Sequence, residues 1–367
     1  MSILNVMWSG GAAYASVHKV HLQILAQVEP ATPINTWLLQ GSARGCVAEI
    51  GETREWHLPS NQLKGRRFWK LLTLWMQARF YRALHQSDVR VLLLDGLGTA
   101  RVLLPVLKKL PQLRAVVLFH GATRFTAADH KLLSQLPASQ LTLAAVSQTL
   151  ANALEADLQI PVVTLRSALD PLAFRSRLLS REQARARLQL PVDNTPVVGA
   201  VGRLVGKKGF ACLIEAFAKA LIQRPQLRLV IIGEGQARAA LEARVNRLGL
   251  RDKVLLPGNL EDAATLFRAF DWIAIPSLEE GLGLILQEAV MAGVPVLASD
   301  LAVFREQLAG AGCYAMPEDV TAWSEALIQA LGVASESVAA AQSTVLSPDD
   351  AWLDFSQVAR RLLSCAK

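Results

Sequence analysis

The chain of 367 residues is long enough for two domains of ordinary size, each with its own hydrophobic core. Hydrophobic residues make up 52% of the sequence and charged residues 19%, a composition that excludes a disordered chain. The cysteines are widely spaced without a CxxC pair, which favours free thiols in a reducing compartment and argues against a zinc site. No run of eighteen apolar residues occurs and no basic residue precedes the first apolar residues, so we expect neither a membrane span nor a signal peptide, and a cytoplasmic location.

The net charge of +7 is concentrated in the first half of the chain. Residues 1–175 hold 18 Lys and Arg against 10 Asp and Glu, a balance of +8, whereas residues 176–367 hold 20 against 21, a balance of −1. A basic surface on one half indicates an anionic partner, such as a phosphorylated acceptor, a lipid surface or a nucleic acid. Because no nucleic-acid-binding motif accompanies the charge, we do not expect a nucleic-acid partner.

Short apolar runs alternate with helical segments through this first half, which indicates a parallel α/β sheet. The first run ends in Gly10 and Gly11, and a glycine turn after a strand lets a ligand approach the backbone closely. Another run ends in His120, at a strand end where ligand-binding residues collect, although an isolated histidine is more often structural. The predicted strands are Ile3–Trp8, Ile34–Leu39, Val89–Asp95, Ala115–Phe119, Leu141–Val146 and Val162–Leu165.

A basic, aromatic-rich amphipathic helix is predicted over Lys64–His85. Apolar residues recur there at helical spacing, with arginine and lysine between them. Such a helix can lie on an anionic membrane with its aromatic rings near the headgroups, but it can equally pack on the sheet with its basic side in water. The residues that would meet a membrane or an acceptor are Arg66, Arg67, Trp69, Lys70 and Trp75.

The irregular stretch Arg166–Arg177, which contains Pro171, is typical of a linker between domains. The alternation of strands and helices starts again at Val197–Val201. We therefore predict two Rossmann-like, doubly wound α/β domains, residues 1–167 and 168–345, facing each other across a cleft. Residues 346–367 are predicted to form a helix that packs back on the first domain.

The second series opens with a basic glycine-bounded loop that carries Arg203 and Lys208. Two cations between a strand and a helix are suited to clamp a diphosphate, arginine by its planar fork and lysine as a point charge. Gly233 follows the next strand, and Pro257 and Gly258 follow another, where their backbone could meet a planar base.

Residues 276–300 read PSLEEGLGLILQEAVMAGVPVLASD, which predicts a strand end, a glycine turn and a helix. The turn and the start of the helix would present free backbone N–H groups to an anion. These groups belong to Gly281, Leu282, Gly283 and Leu284. Glu280 and Glu288 would repel a phosphate and are better suited to accept hydrogen bonds from sugar hydroxyls. The alternative is that both glutamates are solvated surface charges, Glu280 on a loop and Glu288 on an exposed helix face.

Four segments of the second half resemble the family 4 glycosyltransferases, retaining enzymes of the GT-B architecture. These segments are GRLVGKKGF from Gly202, IIGEG from Ile231, PG at Pro257, and EGLGLILQEAVMAGVPVLAS from Glu280, in which two glutamates enclose seven residues as in the E-x7-E signature of the family. The first half resembles the family more loosely, through its glycine turn, His120 and the segment DPLAF from Asp170.

The resemblance implies a GT-B fold in which residues 1–167 bind the acceptor and residues 168–345 bind a nucleotide-sugar. Arg203 and Lys208 would hold the diphosphate, Glu288 the ribose and Glu280 the transferred sugar, with His120 facing that sugar. The implied catalytic residues are His120, Arg203, Lys208 and Glu280. The implied donor contacts add Gly10, Gly11, Gly233, Pro257, Gly258, Gly281, Leu282, Gly283, Leu284 and Glu288.

The implied reaction is retaining transfer from a UDP- or GDP-sugar to a hydroxyl of a membrane-associated or phosphorylated glycan, such as lipopolysaccharide core. The resemblance implies no metal and no cofactor besides the nucleotide-sugar. The basic first half indicates a place in the cytoplasm on the inner face of the membrane. Two alternatives stay open: a sugar-nucleotide epimerase and a non-catalytic nucleotide-sugar-binding scaffold at the membrane. The chain departs from the family at Leu282, where phenylalanine is common, and at Arg166–Ala168, where Asn-Gly is common.

Overall fold

The computed structural model describes residues 2–10, 15–42, 51–58, 69–260 and 262–364. Two compact units share these residues. The N-terminal unit contains the residues up to Ser167 together with those from Leu353 onward, and the C-terminal unit is Ala168–Trp352. Each unit is a parallel sheet with connecting helices, so the prediction of two Rossmann-like α/β domains is confirmed.

The N-terminal unit holds a seven-stranded parallel sheet in the order β3-β2-β1-β4-β5-β6-β7. Its inner strands are rich in apolar residues, most of which are buried, as expected for a sheet covered on both faces. The strands are β1 (Ser2–Ser9), β2 (Ile34–Gln40), β3 (Glu52–Glu55), β4 (Val89–Asp95), β5 (Arg114–Phe119), β6 (Leu141–Ala145) and β7 (Val162–Thr164). The helices are α1 (Ala15–Leu25), α2 (Trp69–His85), α3 (Gly96–Leu107), α4 (Ala127–Leu133) and α5 (Gln148–Leu158).

The C-terminal unit holds a six-stranded parallel sheet in the order β10-β9-β8-β11-β12-β13. Its strands are β8 (Val197–Val201), β9 (Arg228–Ile232), β10 (Val254–Gly258), β11 (Trp272–Ile275), β12 (Val296–Ser299) and β13 (Cys313–Ala315). Its helices are α6 (Pro171–Arg175), α7 (Arg181–Arg187), α8 (Phe210–Ala220), α9 (Arg238–Arg247), α10 (Leu284–Met291), α11 (Ala302–Leu308), α12 (Val320–Ala330) and α13 (Ser335–Leu346). Short 3-10 turns cover Gly206–Lys208, Ala263–Ala269 and Ala309–Ala311.

The last helix, α14 (Pro348–Leu363), begins in the C-terminal unit and continues into the N-terminal one. Within the N-terminal unit, Arg114 Nη2 donates to the carbonyl oxygens of Leu362 at 2.6 Å and of Ser364 at 2.7 Å. Among the described residues, no helix combines the length and the hydrophobicity needed to cross a bilayer.

The predicted linker Arg166–Arg177 contains the short helix α6, which the sequence analysis did not predict. Asp170 caps α6 by accepting from the N–H groups of Leu172 at 2.9 Å and Ala173 at 3.1 Å, and Pro171 occupies the first turn. A capping aspartate followed by proline is a helix start signal that outweighs the general irregularity of the segment.

A buried arginine fixes the beginning of the C-terminal sheet. Arg185 is 1% exposed and donates to the carbonyl oxygens of Ala269 at 3.0 Å and Thr195 at 2.9 Å. It also donates to a carboxylate oxygen of Asp271 at 3.2 Å, and the same oxygen accepts from Val197 N at 2.7 Å. These bonds join the start of β8 to the residue before β11.

Candidate functional site

The two loops with the strongest sequence signals lie side by side in the C-terminal unit. They follow β8 and β11, which are adjacent parallel strands. The strand order reverses at this pair, since β9 and β10 lie on one side of β8 and β12 and β13 lie beyond β11. In open α/β sheets, ligands bind outside the carboxyl ends of the strands at such a switch point.

Glycines allow these loops to pack closely. Gly209 has φ +69°, and a Cβ at this residue would lie 1.9 Å from the carbonyl oxygen of Pro276. Leu278 N donates to the carbonyl oxygen of Lys207 at 2.8 Å, which ties the two loops together. Gly233, with φ +149°, is similarly close to the first loop, because a Cβ there would lie 1.9 Å from the carbonyl oxygen of Gly202.

Two lysine–glutamate pairs join the loops, and they differ in burial. Lys208 Nζ lies 2.5 Å from Glu280 Oε2, and both side chains are mostly buried, at 17% and 18% exposure. Ser277 Oγ donates to the same Glu280 oxygen at 3.2 Å. Lys207 and Glu279 pair at 3.0 Å, but their side chains are 49% and 58% exposed. The inner pair is therefore the better placed of the two to meet a ligand out of bulk water.

The inner pair lies beside further groups that can hold an anion. The helices that follow the two loops, α8 and α10, are preceded by Gly209 and Gly283, whose cap positions offer no side-chain acceptor to the first N–H groups. Such N–H groups and the positive helix end favour a negatively charged ligand. Arg203 is exposed on the first loop and makes no ion pair within the described part of the chain.

The remaining donor contacts predicted for residues 168–345 lie on the strands, loops and helices of this unit. Gly233 and Gly258 stand at the carboxyl ends of β9 and β10, where Gly233 N donates to the carbonyl oxygen of Gly258 at 2.8 Å. Pro257 lies within β10. Leu282 is buried, and its carbonyl oxygen accepts from Gln307 Nε2 at 2.6 Å. The turn between Glu280 and α10 contains Gly281 and Gly283. Helix α10 begins at Leu284 and carries Glu288.

Glu288 is 8% exposed, which excludes the alternative of a solvated helix face for this residue. Charged side chains are rarely buried to this degree without a partner.

A second cluster occupies the corresponding switch point of the N-terminal unit, where β1 and β4 are neighbours. His120 directly follows β5, Asp95 ends β4, and His21 projects from α1. His120 Nε2 lies 3.2 Å from His21 Nε2 and 3.8 Å from Asp95 Oδ1. Sequence reasoning identified only His120, so the structure supplies its two partners.

Hydrogen bonds set the protonation pattern of this cluster. Asn5 Nδ2 donates to Thr36 Oγ1 at 3.3 Å, and Asn5 Oδ1 lies 2.7 Å from His21 Nδ1. Because an amide oxygen only accepts, the hydrogen-bond pattern assigns the proton of neutral His21 to Nδ1. His21 Nε2 is then an acceptor and His120 Nε2 the donor to it, which leaves Nδ1 of His120 able to accept a hydrogen bond.

Burial controls the charge of the cluster. It lowers the pKa of His120 to about 3 and holds the pKa of His21 well below its ordinary value. Burial also raises the pKa of Asp95 to about 6, although Trp8 N, which donates to Asp95 Oδ2 at 3.1 Å, opposes that rise. At pH 7 both imidazoles are therefore neutral and Asp95 is mostly ionised.

The glycine turn and the basic helix of the N-terminal unit are only partly described. A Cβ at Gly10 would lie 2.3 Å from the carbonyl oxygen of Ser42, so close backbone packing already accounts for this glycine. Gly11, Arg66 and Arg67 lie outside the described residues. Trp69 and Lys70 begin α2, and nothing is described of their side chains.

Helix α2 divides its apolar residues between the core and the surface. Phe80 and Leu84 are buried against the unit, whereas Trp75 is 56% exposed and Leu74 is 62% exposed. Arg79 stacks beside Trp75, with its Cζ 4.8 Å from the ring centroid. Core packing therefore explains one side of the helix, and the other presents an exposed aromatic and cationic surface.

Comparisons with known proteins agree with this geometry. Residues 180–340 match the family model described as "Glycosyl transferases group 1". The chain is 31% identical over 169 residues, 44% of its length, to an uncharacterized glycosyltransferase of Methanocaldococcus jannaschii, 43% of which is covered. The chain spans less than half the length of the curated relatives it matches.

The fold as a whole matches solved structures. A glycosyltransferase from Rickettsia africae superposes with a TM-score of 0.81 and 16% identity, covering 100% of this chain and 99% of that one. Anabaena HepE, solved in complex with UDP and glucose, superposes with a TM-score of 0.79 and 20% identity, covering 100% of both chains. The two-domain fold is therefore the GT-B fold.

Proposed function

We propose that this chain is a retaining glycosyltransferase, because residues 180–340 match the family model described as "Glycosyl transferases group 1". It moves a sugar from a UDP- or GDP-linked donor to a hydroxyl of a membrane-associated or phosphorylated glycan, such as lipopolysaccharide core. The observation that carries the proposal is the inner pair of Lys208 and Glu280, held at 2.5 Å beside two helix starts at a switch point.

The site offers separate groups for the phosphates and for the hydroxyls of such a donor. Lys208, Arg203 and the N–H groups at the starts of α8 and α10 supply positive potential for the diphosphate. Glu280 and Glu288 supply acceptors for the transferred sugar and for the ribose. Lys208 neutralises Glu280, so this carboxylate would repel a neighbouring diphosphate less than an unpaired one.

The chemistry follows from the leaving group. As the bond from the anomeric carbon to the phosphate oxygen breaks, its electron pair passes to the diphosphate and the sugar becomes oxocarbenium-like. Preorganised cations and N–H dipoles that stabilise this developing charge make the largest contribution to such a step. We propose that the acceptor hydroxyl attacks on the face from which the diphosphate departs and gives its proton to the leaving phosphate oxygen, which retains the configuration. No metal takes part in this scheme.

The proposed acceptor lies at an anionic surface, in the cytoplasm at the inner membrane. One support is the net charge of +8 over residues 1–175. Another is that Trp75 and Leu74 are exposed on α2, with Arg79 beside Trp75. Aromatic rings and arginines of this kind favour the headgroup region of anionic bilayers. HepE contains UDP and glucose in its solved complex, and this supports a nucleotide-sugar as the donor.

The proposal is tested with a panel of UDP- and GDP-sugars, measuring calorimetric binding and slow release of free sugar without acceptor. We expect one donor to bind and to be hydrolysed slowly, and Glu288→Gln to weaken both. Interconversion of donor sugars without hydrolysis would indicate an epimerase, and tight binding without turnover on any glycan would indicate a scaffold. Either result, or binding that is unchanged in Glu288→Gln, would refute the assignment.

A separate measurement tests the membrane surface. Sedimentation with vesicles of phosphatidylglycerol should retain the wild type and release a Trp75→Ser, Arg79→Gln double variant. Matched changes at Arg244 and Arg247, on a helix of the other unit, serve as the control. Equal retention of both variants would contradict the proposed membrane surface.

A further inference from the structure

The cluster at the switch point of the N-terminal unit has the composition of a transition-metal site. Two imidazole nitrogens and one carboxylate oxygen, from His21, His120 and Asp95, all lie within 4.8 Å of one another. Two histidines with one carboxylate, and room for a water or another ligand, are a common donor set for catalytic zinc sites.

The distances agree with a single small ion. Tetrahedral zinc with bonds of about 2.0–2.2 Å places its ligand atoms about 3.3–3.5 Å apart. His21 Nε2 and His120 Nε2 are 3.2 Å apart, and His120 Nε2 and Asp95 Oδ1 are 3.8 Å apart. The third pair of ligand atoms, from His21 and Asp95, lies within 4.8 Å, so a relative movement of up to about 1.4 Å would close the three atoms around one ion.

Outer hydrogen bonds already orient two of the three ligands. Asn5 Oδ1 accepts from His21 Nδ1, so the lone pair of His21 Nε2 points into the cluster. Trp8 N donates to Asp95 Oδ2, and Oδ1 is left for the cluster. A metal-binding histidine commonly donates its other ring N–H to a carbonyl or carboxylate, and such an outer partner contributes about 10–100-fold to metal affinity.

We propose that His21, His120 and Asp95 bind one divalent transition-metal ion, with Zn²⁺ as the best fit. On binding, the proton that His120 Nε2 shares with His21 moves to His120 Nδ1, so both Nε2 atoms become ligands. Imidazole donors favour zinc, nickel and cobalt over magnesium, which prefers six oxygens. The bound ion would occupy Nε2 of both histidines, so these atoms could not hold another ligand at the same time.

The test uses the full chain without an affinity tag, after EDTA treatment and dialysis, and without any sugar donor. Zn²⁺ is titrated by calorimetry, and Co²⁺ is followed by its visible absorption. We expect one ion per chain, without the sulfur charge-transfer band that a cysteine ligand would produce. His21→Gln and His120→Gln should each weaken binding at least tenfold, and Asn5→Leu should weaken it about 10–100-fold through the outer hydrogen bond.

The controls are His18→Gln, which changes a neighbouring histidine outside the set, and His130→Gln, which changes a distant one; neither should alter the affinity. Mg²⁺ should not bind at the site. In the wild type, nitrogen chemical shifts should show metal at Nε2 of His21 and His120, a result that does not depend on the folding of any variant. Absence of binding, or equal affinity in the wild type and both cluster variants, would overturn the metal site. Because no donor is used, this outcome is independent of the proposed transfer.

Discussion

Replacement of Lys208 with alanine should reduce turnover far more than the same change at its neighbour Lys207. The two residues are adjacent, and each pairs with one of two adjacent glutamates, but Lys208 is 17% exposed and Lys207 is 49% exposed. Bulk water screens the charge of Lys207, whereas Lys208 can act on a diphosphate from a partly dehydrated site.

The size of the effect follows from the role proposed for the ammonium. Loss of one preorganised donor to a developing negative charge typically costs about 2.7–4 kcal/mol, or about 10²–10³ in kcat. Lys208→Ala should show a loss of this size, while Lys207→Ala should stay within about twofold, as expected for an exposed charge. The change also leaves Glu280 unpaired apart from Ser277, so negative charge near the phosphates should add a loss of donor affinity.

The assay is steady-state kinetics with the donor found in the panel, together with calorimetric binding of the free nucleoside diphosphate. A Lys208→Ala, Glu280→Gln double variant separates the two effects, since it removes the unpaired carboxylate. It should recover binding of the nucleoside diphosphate in part but not turnover. Equal losses in Lys207→Ala and Lys208→Ala would refute the reasoning, because burial would then have no bearing on the function of either lysine.

Three further predictions concern stability and are checked by urea unfolding at pH 7 unless stated. Gly209→Ala should lower the free energy of unfolding by at least about 1–3 kcal/mol, because its φ is +69° and the new Cβ would meet Pro276 O at 1.9 Å; no loss would contradict this contact. Arg185→Met should lower the free energy of unfolding by about 3–5 kcal/mol, because the buried oxygens to which Arg185 donates would lose their partner. The same change at the exposed Arg187 should leave the free energy of unfolding unchanged. Arg101 holds the pKa of Asp129 well below its ordinary value, so this stabilisation is present above the unfolded-state pKa and is lost as the pH falls. The loss of stability between pH 7 and pH 3 should therefore be smaller in Arg101→Met than in the wild type. An equal loss in both proteins would show that the Arg101–Asp129 pair does not contribute to the pH dependence.

Hydrophobic pattern was sufficient to predict most of the sheet strands, because inner parallel strands are continuous apolar runs. Val89–Asp95 and Val197–Val201 have the predicted bounds. The edge strand β3, with sequence ETRE, escaped prediction because it has one neighbour and carries charged residues that protect an exposed edge. Its pairing with β2 is a tertiary effect that no local pattern reveals.

The residues of the candidate sites also fall into those that the sequence predicted and those that it did not. Lys208, Glu280 and the glycines around them could be predicted because each loop has its signal within a few residues of sequence. Asp95 and His21 could not, since one ends an apolar strand and the other lies within a helix, three residues after His18. A pair of histidines at helical spacing was the available signal, but their meeting with His120 depends on the order of strands in the sheet.

Strand order also explains why the two units collect their polar groups at equivalent places. In each unit the first strand of the sheet has one neighbour from the next strand in sequence and another from a later one, so the turns after these strands open apart and leave room for a ligand. In the C-terminal unit this space is bordered by lysine–glutamate pairs, which can exchange partners with an ionic ligand. In the N-terminal unit it is bordered by neutral imidazoles and one buried carboxylate, which exchange protons or bind a metal more readily than a phosphate. The difference in charge therefore favours an anionic ligand at the switch point of the C-terminal unit, and a metal ion or a proton-exchanging ligand at that of the N-terminal unit.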